Sequence, residues 1–86
     1  MRLNDTLQSA VSLARQGDWD QSHRIVQEFH DPAACWIHAV LHKIEGDAWN
    51  SRYWYARTNG RRYEDYADPG AELAEIARQL SAAGGK

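Results

Sequence analysis

The chain has 86 residues, of which 43% are hydrophobic and 26% are charged, and its formal net charge at pH 7 is −2. This length allows one small domain, and the composition is typical of a folded protein rather than a disordered one. The small negative charge argues against a domain whose main task is to neutralise nucleic-acid phosphates.

The cysteine count and the apolar runs indicate a cellular compartment. Cys35 is the only cysteine, so an intramolecular disulfide is excluded, as suits a reducing compartment. Residues 1–10 lack the apolar core of roughly 7–15 residues that a signal peptide needs. No apolar run approaches the ~20 residues of a membrane span. We therefore expect a soluble cytoplasmic protein with no membrane partner.

Five helices are predicted, because apolar residues recur at steps of three and four. Their apolar faces are formed, in chain order, by Leu3, Leu7, Ala10, Val11 and Ala14; by Trp19, Ser22, Val26 and Phe29; by Ile37, Val40, Leu41 and Ile44; by Ala48, Ser51, Trp54, Tyr55 and Thr58; and by Leu73, Ile76, Ala77 and Leu80. We expect a loop at about residues 60–68. No alternating strand pattern competes, so the predicted fold class is all-α.

Residues typical of helix ends separate these segments. Asp5 and Asp18 each precede a glutamine by three residues, which is the spacing of an N-cap and the third helical position. Gly17 and Gly46 each follow a periodic segment and are suited to end a helix in the left-handed conformation. These residues predict where the first helices begin and end.

The first four helices repeat with a period of 29 residues. The segment GDWDQS, from Gly17, aligns with GDAWNS, from Gly46, and the same offset places Ala10-Val11 on Ala39-Val40. Two helical hairpins built on one plan would produce this register.

The hairpin sequences resemble known helical repeats. Gly17-Asp18-Trp19 with Ser22 looks like the opening of the second helix of a tetratricopeptide repeat, although the period is shorter than the ~34 residues of that family. The segment from Asn50 to Arg57 is similar to the Sel-like repeats. The resemblance covers residues 3–59 and implies two tetratricopeptide-like hairpins. We expect a C-terminal helix to cap them in a single domain, residues 1–83, with a disordered tail, residues 84–86.

A longer run, W-x-H-A-x-L-H-x-x-E-G-D-x-x-N-x-x-Y-W-Y-x-R, begins at Trp36. It resembles a small family of short, uncharacterised bacterial proteins. That resemblance implies a fold and no particular activity.

The third predicted helix carries a stripe of metal-ligand residue types. Cys35, His38, His42 and Glu45 share one side of the helix, away from its apolar face. Histidines at i and i+4 can both reach one zinc ion at about 2.0–2.1 Å, and a carboxylate one turn later can complete three ligands. Nickel or copper would also accept this set. A second chain segment would have to contribute, and His23 or His30 is the candidate.

Two other interpretations of the stripe stay open. It is also typical of a solvated helix face or a groove wall, and this interpretation is favoured. His38 and His42 could form a polar groove with Arg52 and Tyr55 of the next helix, which would bind an anionic ligand or a peptide carboxylate. Cys35 lies one turn before His38, near a helix start that would lower its pKa. Spacing indicates no third orienting group, so we assign no catalytic residue.

Residues 52–63, RYWYARTNGRRY, interleave arginines with aromatics, which is a pattern of single-stranded nucleic-acid binding. The favoured interpretation is structural: the fourth helix is apolar on two sides, so it should be buried between neighbours.

Repeat arrays normally need about three units, and we therefore expect a protein partner or a homodimer formed through aromatic faces. The leading function is a binding or scaffold module without catalysis. The alternative is a divalent-metal- or small-anion-binding protein centred on His38, His42 and Glu45.

Overall fold

The structure is a computed structural model that describes residues 2–84, with side chains described for residues 2–83. It contains the helices α1 (Leu3–Arg15), α2 (Trp19–Val26), α3 (Pro32–Ile44), α4 (Ala48–Tyr55) and α5 (Pro69–Gly84). A short 3-10 turn, Tyr63–Asp65, lies within the predicted loop. Since the described residues contain no strand, the all-α prediction with five helices is confirmed. Of the predicted tail, Gly84 ends α5, and residues 85–86 lie outside the described residues.

The turns inside the two hairpins have the same local geometry. Gly17 and Gly46 adopt positive φ angles of 88° and 83°, which glycine reaches without a Cβ penalty. The next residues, Asp18 and Asp47, cap α2 and α4: each carboxylate accepts a hydrogen bond from the backbone N–H three residues on, at 3.2 Å. A side-chain cap of this kind contributes about 1 kcal/mol to helix stability.

The two helices of each hairpin approach closely at equivalent serines. The Ser22 hydroxyl donates to the Ala10 carbonyl oxygen at 2.7 Å, and the Ser51 hydroxyl donates to the Ala39 carbonyl oxygen at 2.7 Å. Both serines are fully buried. The 29-residue register therefore corresponds to two hairpins, α1–α2 and α3–α4, with matching turns and matching helix contacts.

One predicted helix start is wrong. Helix α1 begins at Leu3, so Asp5 lies inside its first turn rather than at its N-cap. The N-cap residue, Arg2, makes no side-chain cap hydrogen bond. An acid in the first turn still interacts favourably with the helix dipole, so the same aspartate fits either position.

The helix buried on all sides is α3, whereas the sequence pattern predicts that α4 is enclosed. Helix α3 contacts α1, α2, α4 and α5, and every residue from 34 to 42 is buried. Helix α4 is instead at the edge of the fold, where Trp49 is 74% exposed and Tyr53 is 42% exposed. Helix α3 is enclosed because it is the first helix of the second hairpin, and the first hairpin, α4 and α5 pack around it.

A buried ion pair joins α3 to the closing helix α5. Lys43 and Glu72 approach within 2.8 Å, and the Glu72 side chain is inaccessible to solvent. The second carboxylate oxygen of Glu72 accepts hydrogen bonds from the Trp36 indole N–H at 2.8 Å and the Tyr55 hydroxyl at 2.6 Å. Lys43 also donates to two carbonyl oxygens of the loop between α4 and α5, each at 3.0 Å. This network fixes how α5 closes the hairpins.

The longest helix in the described part of the chain, α5, has 16 residues. None of the helices among residues 2–84 is both long enough and apolar enough to cross a membrane.

Candidate functional site

Three histidines from two helices meet at the interface between the hairpins. His38 and His42 lie one turn apart on α3, and His23 reaches them from α2. The ring centroids of His23 and His38 are 4.7 Å apart, those of His38 and His42 are 5.1 Å apart, and those of His23 and His42 are 5.6 Å apart. Each residue offers one nitrogen, and these three nitrogens lie within 4.8 Å of one another. We call His23, His38 and His42 the histidine cluster.

Two tryptophans hold the rings of the histidine cluster. Trp19 stacks on His23 with ring centroids 4.7 Å apart, and its indole N–H donates to the Leu41 carbonyl oxygen at 2.7 Å. Trp54 of α4 stacks on His38 with centroids 4.0 Å apart and an interplanar angle of 13°. Because three helices contribute to this packing, the orientations of the imidazoles are set by the tertiary fold.

Glu45 orients one ring of the cluster. A carboxylate oxygen of Glu45 lies 2.9 Å from Nδ1 of His42, at the C-terminal end of α3. A carboxylate at this nitrogen favours the tautomer that carries its proton on Nδ1 and leaves Nε2 with a free lone pair. Glu45 is thus a hydrogen-bond partner of His42. With His42 and Asp47 it also belongs to a second group whose possible ligand atoms lie within 4.8 Å of one another, so its role as a metal ligand stays a prediction.

His38 is buried in its neutral form. Its side chain lies between Trp54 and the other two histidines, and it is only 4% exposed. Burial, followed by the proximity of His23 and His42, lowers the pKa of His38 to about 3. Its Nδ1 is buried and has no hydrogen-bond partner among the described residues. Buried polar atoms are nearly always paired, so this nitrogen requires an explanation.

His23 is the most accessible member of the cluster. It is half-buried on α2, and burial, followed by the proximity of His42, lowers its pKa. An uncharged imidazole is the form that binds metal ions. Burial and the repulsion between neighbouring imidazolium charges therefore keep His23 and His38 uncharged at neutral pH, each with a lone pair on one ring nitrogen.

The favoured interpretation of the stripe was a solvated helix face or a groove wall, and for the two histidines the solvated face is wrong. His38 and His42 are 4% and 9% exposed, because α2 and α4 pack over this side of α3. His38 and His42 therefore lie at an internal contact between the hairpins, whereas Glu45 at the end of the stripe is exposed.

Arg52 and Tyr55, predicted to share a groove with the histidines, make their contacts elsewhere. Arg52 forms an ion pair with Glu64 and lies over the Tyr63 ring, 4.3 Å from its centroid. Tyr55 is buried and donates its hydroxyl hydrogen bond to Glu72. Burial, followed by that hydrogen bond, raises the pKa of Tyr55, so the phenol stays protonated. The predicted ligand-binding set is therefore divided between two sides of α4.

The second histidine-bearing segment is α2. The sequence offered His23 and His30 equally, and the structure brings His23 to the stripe while His30 is exposed in the loop before α3. The structure shows a parallel for His23 in the second hairpin. His23 is at the position equivalent to Arg52, 29 residues later, and Arg52 faces the element that follows its own hairpin.

The structure does not favour a nucleophilic role for Cys35. The thiol is 1% exposed and donates to the His30 carbonyl oxygen at 3.7 Å. Burial raises its pKa and outweighs the nearby Arg57, the opposite of the shift predicted from the helix start. A protonated, buried thiol is a poor nucleophile, so Cys35 is better explained as a small residue packed in the interior.

The arginines of residues 52–63 stack on aromatic rings of the same chain. Arg57 lies over Tyr53, 3.9 Å from the ring centroid, and Arg61 lies over Trp36 at 4.0 Å. Arg62 pairs with Asp65. These arginines thus contact rings and an acid of the same chain, although the predicted burial of the helix between neighbours is wrong because Tyr53 is exposed. That the protein does not bind nucleic acid stays a prediction.

No protein-family model, curated protein or solved structure matches this chain. The resemblances to tetratricopeptide and Sel-like repeats and to short bacterial proteins therefore remain predictions. The function has to be argued from the residues of the site.

Proposed function

We propose that the protein binds a first-row transition-metal ion, zinc in the first place, through His23, His38 and His42. One observation carries this proposal: three imidazole nitrogens from two helices lie within 4.8 Å of one another. Imidazole is a ligand that zinc, copper and nickel accept readily, whereas magnesium and calcium prefer oxygen.

The cluster needs only a small contraction to hold zinc. Zn–N bonds of about 2.0–2.1 Å in a tetrahedral site place nitrogens about 3.4 Å apart. The three nitrogens now lie within 4.8 Å of one another, so each pair would have to approach by at most about 1.4 Å to reach that spacing. The half-buried His23 has the most freedom to move, while His38 and His42 are held by α3 at a suitable spacing.

The surroundings of the histidines support the same assignment. Ligating histidines usually donate their other ring N–H to a carboxylate, and Glu45 is 2.9 Å from Nδ1 of His42. Nε2 of His42 is then the nitrogen left for the metal. The buried Nδ1 of His38, which has no hydrogen-bond partner among the described residues, shows that the protein groups around this ring leave a polar atom unsatisfied.

Three protein ligands leave a fourth position on zinc for water or an added ligand. Histidines that join α2 to α3 would also tie the two hairpins together, so binding should stabilise the fold. The proposal covers metal binding, and any reaction at the fourth position would be a separate property.

Zinc binding is tested by native mass spectrometry of untagged protein incubated with zinc or magnesium. We expect one zinc ion per chain and no retained magnesium. The His23→Gln variant should lose zinc binding by at least about 100-fold, because one of three ligands is gone, and it should still fold because His23 is only half-buried. The matched control is His30→Gln, which changes an exposed histidine outside the cluster.

Equal zinc retention by wild type and His23→Gln would refute the site. Loss of zinc in His30→Gln as well would point to an adventitious surface site. Cobalt(II) adds a second readout, because its visible spectrum reports tetrahedral nitrogen coordination directly.

A second candidate function, protein binding, is favoured by a separate observation. Trp49 and Tyr53 of α4 stack on each other with ring centroids 6.1 Å apart, and both are exposed. Ile44 nearby in the chain is 44% exposed. Aromatic side chains are enriched in interfaces, and we propose a second copy of the chain as the partner of this patch.

Self-association is read from the same native mass spectra. We expect a dimer in wild type, and we expect Trp49→Ala to be a folded monomer with the circular dichroism spectrum of wild type, since Trp49 is 74% exposed. A wild-type monomer at micromolar concentration, or a dimer that survives Trp49→Ala, would rule out this patch as the dimer interface.

A further inference from the structure

A cavity of about 250 Å³ lies on the other side of α3 from the histidine cluster. Trp36 lines it, and because Trp36 and His38 are two residues apart on a helix their side chains point about 200° apart. The cavity is bounded by α1, the start of α3, the turn after α4, and α5. The lining residues that matter are Pro32, Trp36, Arg61, Ile76, Gln79 and Leu80.

Arg61 is held in place at this cavity. The Thr58 hydroxyl oxygen accepts a hydrogen bond from the Arg61 backbone N–H at 2.9 Å. The guanidinium lies over the Trp36 ring, 4.0 Å from its centroid, and donates one N–H to the Gln79 side-chain oxygen at 2.7 Å. Trp36 is itself fixed by its hydrogen bond to Glu72. A guanidinium held in this way loses little entropy when it binds a ligand.

The charge of Arg61 has no direct acidic partner among the described residues. Its side-chain hydrogen bond goes to the neutral Gln79, and Gln79 in turn donates to Glu75 at 2.8 Å. Glu75 already forms two hydrogen bonds with Arg78. Asp65, the other acid near Arg61, is paired with Arg62. The remaining N–H donors of Arg61 are thus available to an added anion.

The rest of the cavity wall is mainly apolar. Pro32, Ile76 and Leu80 contribute hydrocarbon surface, and the Trp36 ring adds an aromatic wall. Small-molecule sites commonly combine an apolar lining with a few polar groups that orient the ligand, in volumes of roughly 300–1,000 Å³. At about 250 Å³ this cavity suits a smaller molecule.

We propose that this cavity binds a small organic monocarboxylate with an apolar body, its carboxylate on Arg61 and its hydrocarbon part against Ile76 and Leu80. A planar guanidinium can bind both oxygens of a carboxylate. Because a single arginine supplies the positive charge, one negative charge is matched better than the two of a phosphate monoester. The site is independent of the metal ion proposed at the histidine cluster.

The test is a titration of ¹⁵N-labelled protein followed by ¹H–¹⁵N NMR, with benzoate and hexanoate as probes. The Trp36 indole N–H reports on the cavity directly. We expect saturable shifts at Trp36, Gln79 and Leu80, and about tenfold or more weaker binding of the uncharged probes benzamide and hexanamide. Inorganic phosphate should bind more weakly than benzoate.

Arg61→Gln should weaken benzoate binding by about tenfold or more, because a charge-assisted bond is lost. The matched control is Arg62→Gln, which removes a neighbouring arginine that is exposed and paired with Asp65. Equal binding of acid and amide, equal affinity in Arg61→Gln, or the absence of saturable shifts at millimolar probe would each overturn the proposal. The same titration in His23→Gln protein should be unchanged, so failure here and failure of zinc binding are told apart.

Discussion

Replacing Glu72 with alanine is expected to lower the free energy of unfolding by about 3–5 kcal/mol, the range for breaking a buried ion pair. The substitution leaves Lys43 buried without its acid and leaves two donors, the Trp36 indole N–H and the Tyr55 hydroxyl, without an acceptor. Small domains are stable by only roughly 5–15 kcal/mol. A loss of this size therefore removes much of the stability of the fold.

Urea denaturation followed by circular dichroism measures this effect. The matched control is Glu75→Ala, one turn further along α5, where the acid pairs with the exposed Arg78. A surface pair of that kind contributes about 0–1 kcal/mol, so the control should remain close to wild type. A loss of stability in Glu72→Ala as small as that in Glu75→Ala would show that Glu72 acts like an ordinary surface acid.

A double-mutant cycle separates the ion pair from the other hydrogen bonds of Glu72. Lys43→Met alone leaves a buried carboxylate without its cation, so it should also be strongly destabilising. Glu72→Met is the second single variant of the cycle. The loss in Lys43→Met/Glu72→Met should be smaller than the sum of the two single losses by about 1–3 kcal/mol. The double variant should still be less stable than wild type, because Trp36 and Tyr55 lack an acceptor. Additive losses would contradict the coupling between Lys43 and Glu72.

Metal-free protein is expected to lose about 2 kcal/mol of stability between pH 6.5 and pH 5. The pKa of His38 is lowered to about 3 in the folded protein, whereas it is about 6.5 in an unfolded chain. Between these values the unfolded state binds one more proton, so stability is present above pH 6.5 and decreases by about 1.4 kcal/mol per pH unit as the pH falls. The lowered pKa of His23 acts in the same direction.

Between pH 6.5 and pH 5 the expected change in stability comes from the histidines rather than from the acids. The carboxylates with lowered pKa values, among them Glu75 and Asp47, lose their stabilising charge only at lower pH. The groups around His38 are His23 from α2, His42 from its own helix, and the uncharged Trp54 from α4.

Urea melts at pH 6.5 and pH 5, with a chelator present, test the expectation. The free energy of unfolding of His38→Gln should change less between the two pH values than that of wild type. The comparison is made within each variant, so a lower stability of His38→Gln at both pH values does not affect it. His30→Gln should retain the wild-type dependence. A flat profile in wild type would contradict a buried, neutral His38. Saturating zinc should steepen the dependence in wild type, since protons and metal compete for the same nitrogens.

Features that depend on residues close together in the chain could be predicted without the structure. Helical periodicity predicted five helices, and the left-handed Gly17 and Gly46 with the capping Asp18 followed from residue types that suit those conformations. The 29-residue register predicted two equivalent hairpins. These are local properties, because a cap, a turn or a helix face involves residues only a few positions apart.

The tertiary structure alone decided which faces meet. Packing of α2 and α4 over α3 changed the histidine stripe from an apparent solvated face into a buried cluster, and it selected His23 as the third histidine. In the sequence Glu72 is one of the acids on α5, whereas in the folded protein it accepts hydrogen bonds from three side chains. Neither result can be read from periodicity, because a polar residue on a helix has the same spacing whether it faces water or a partner from a distant segment. Burial and pairing depend on long-range contacts, and those contacts set the charge state and the chemistry of the site.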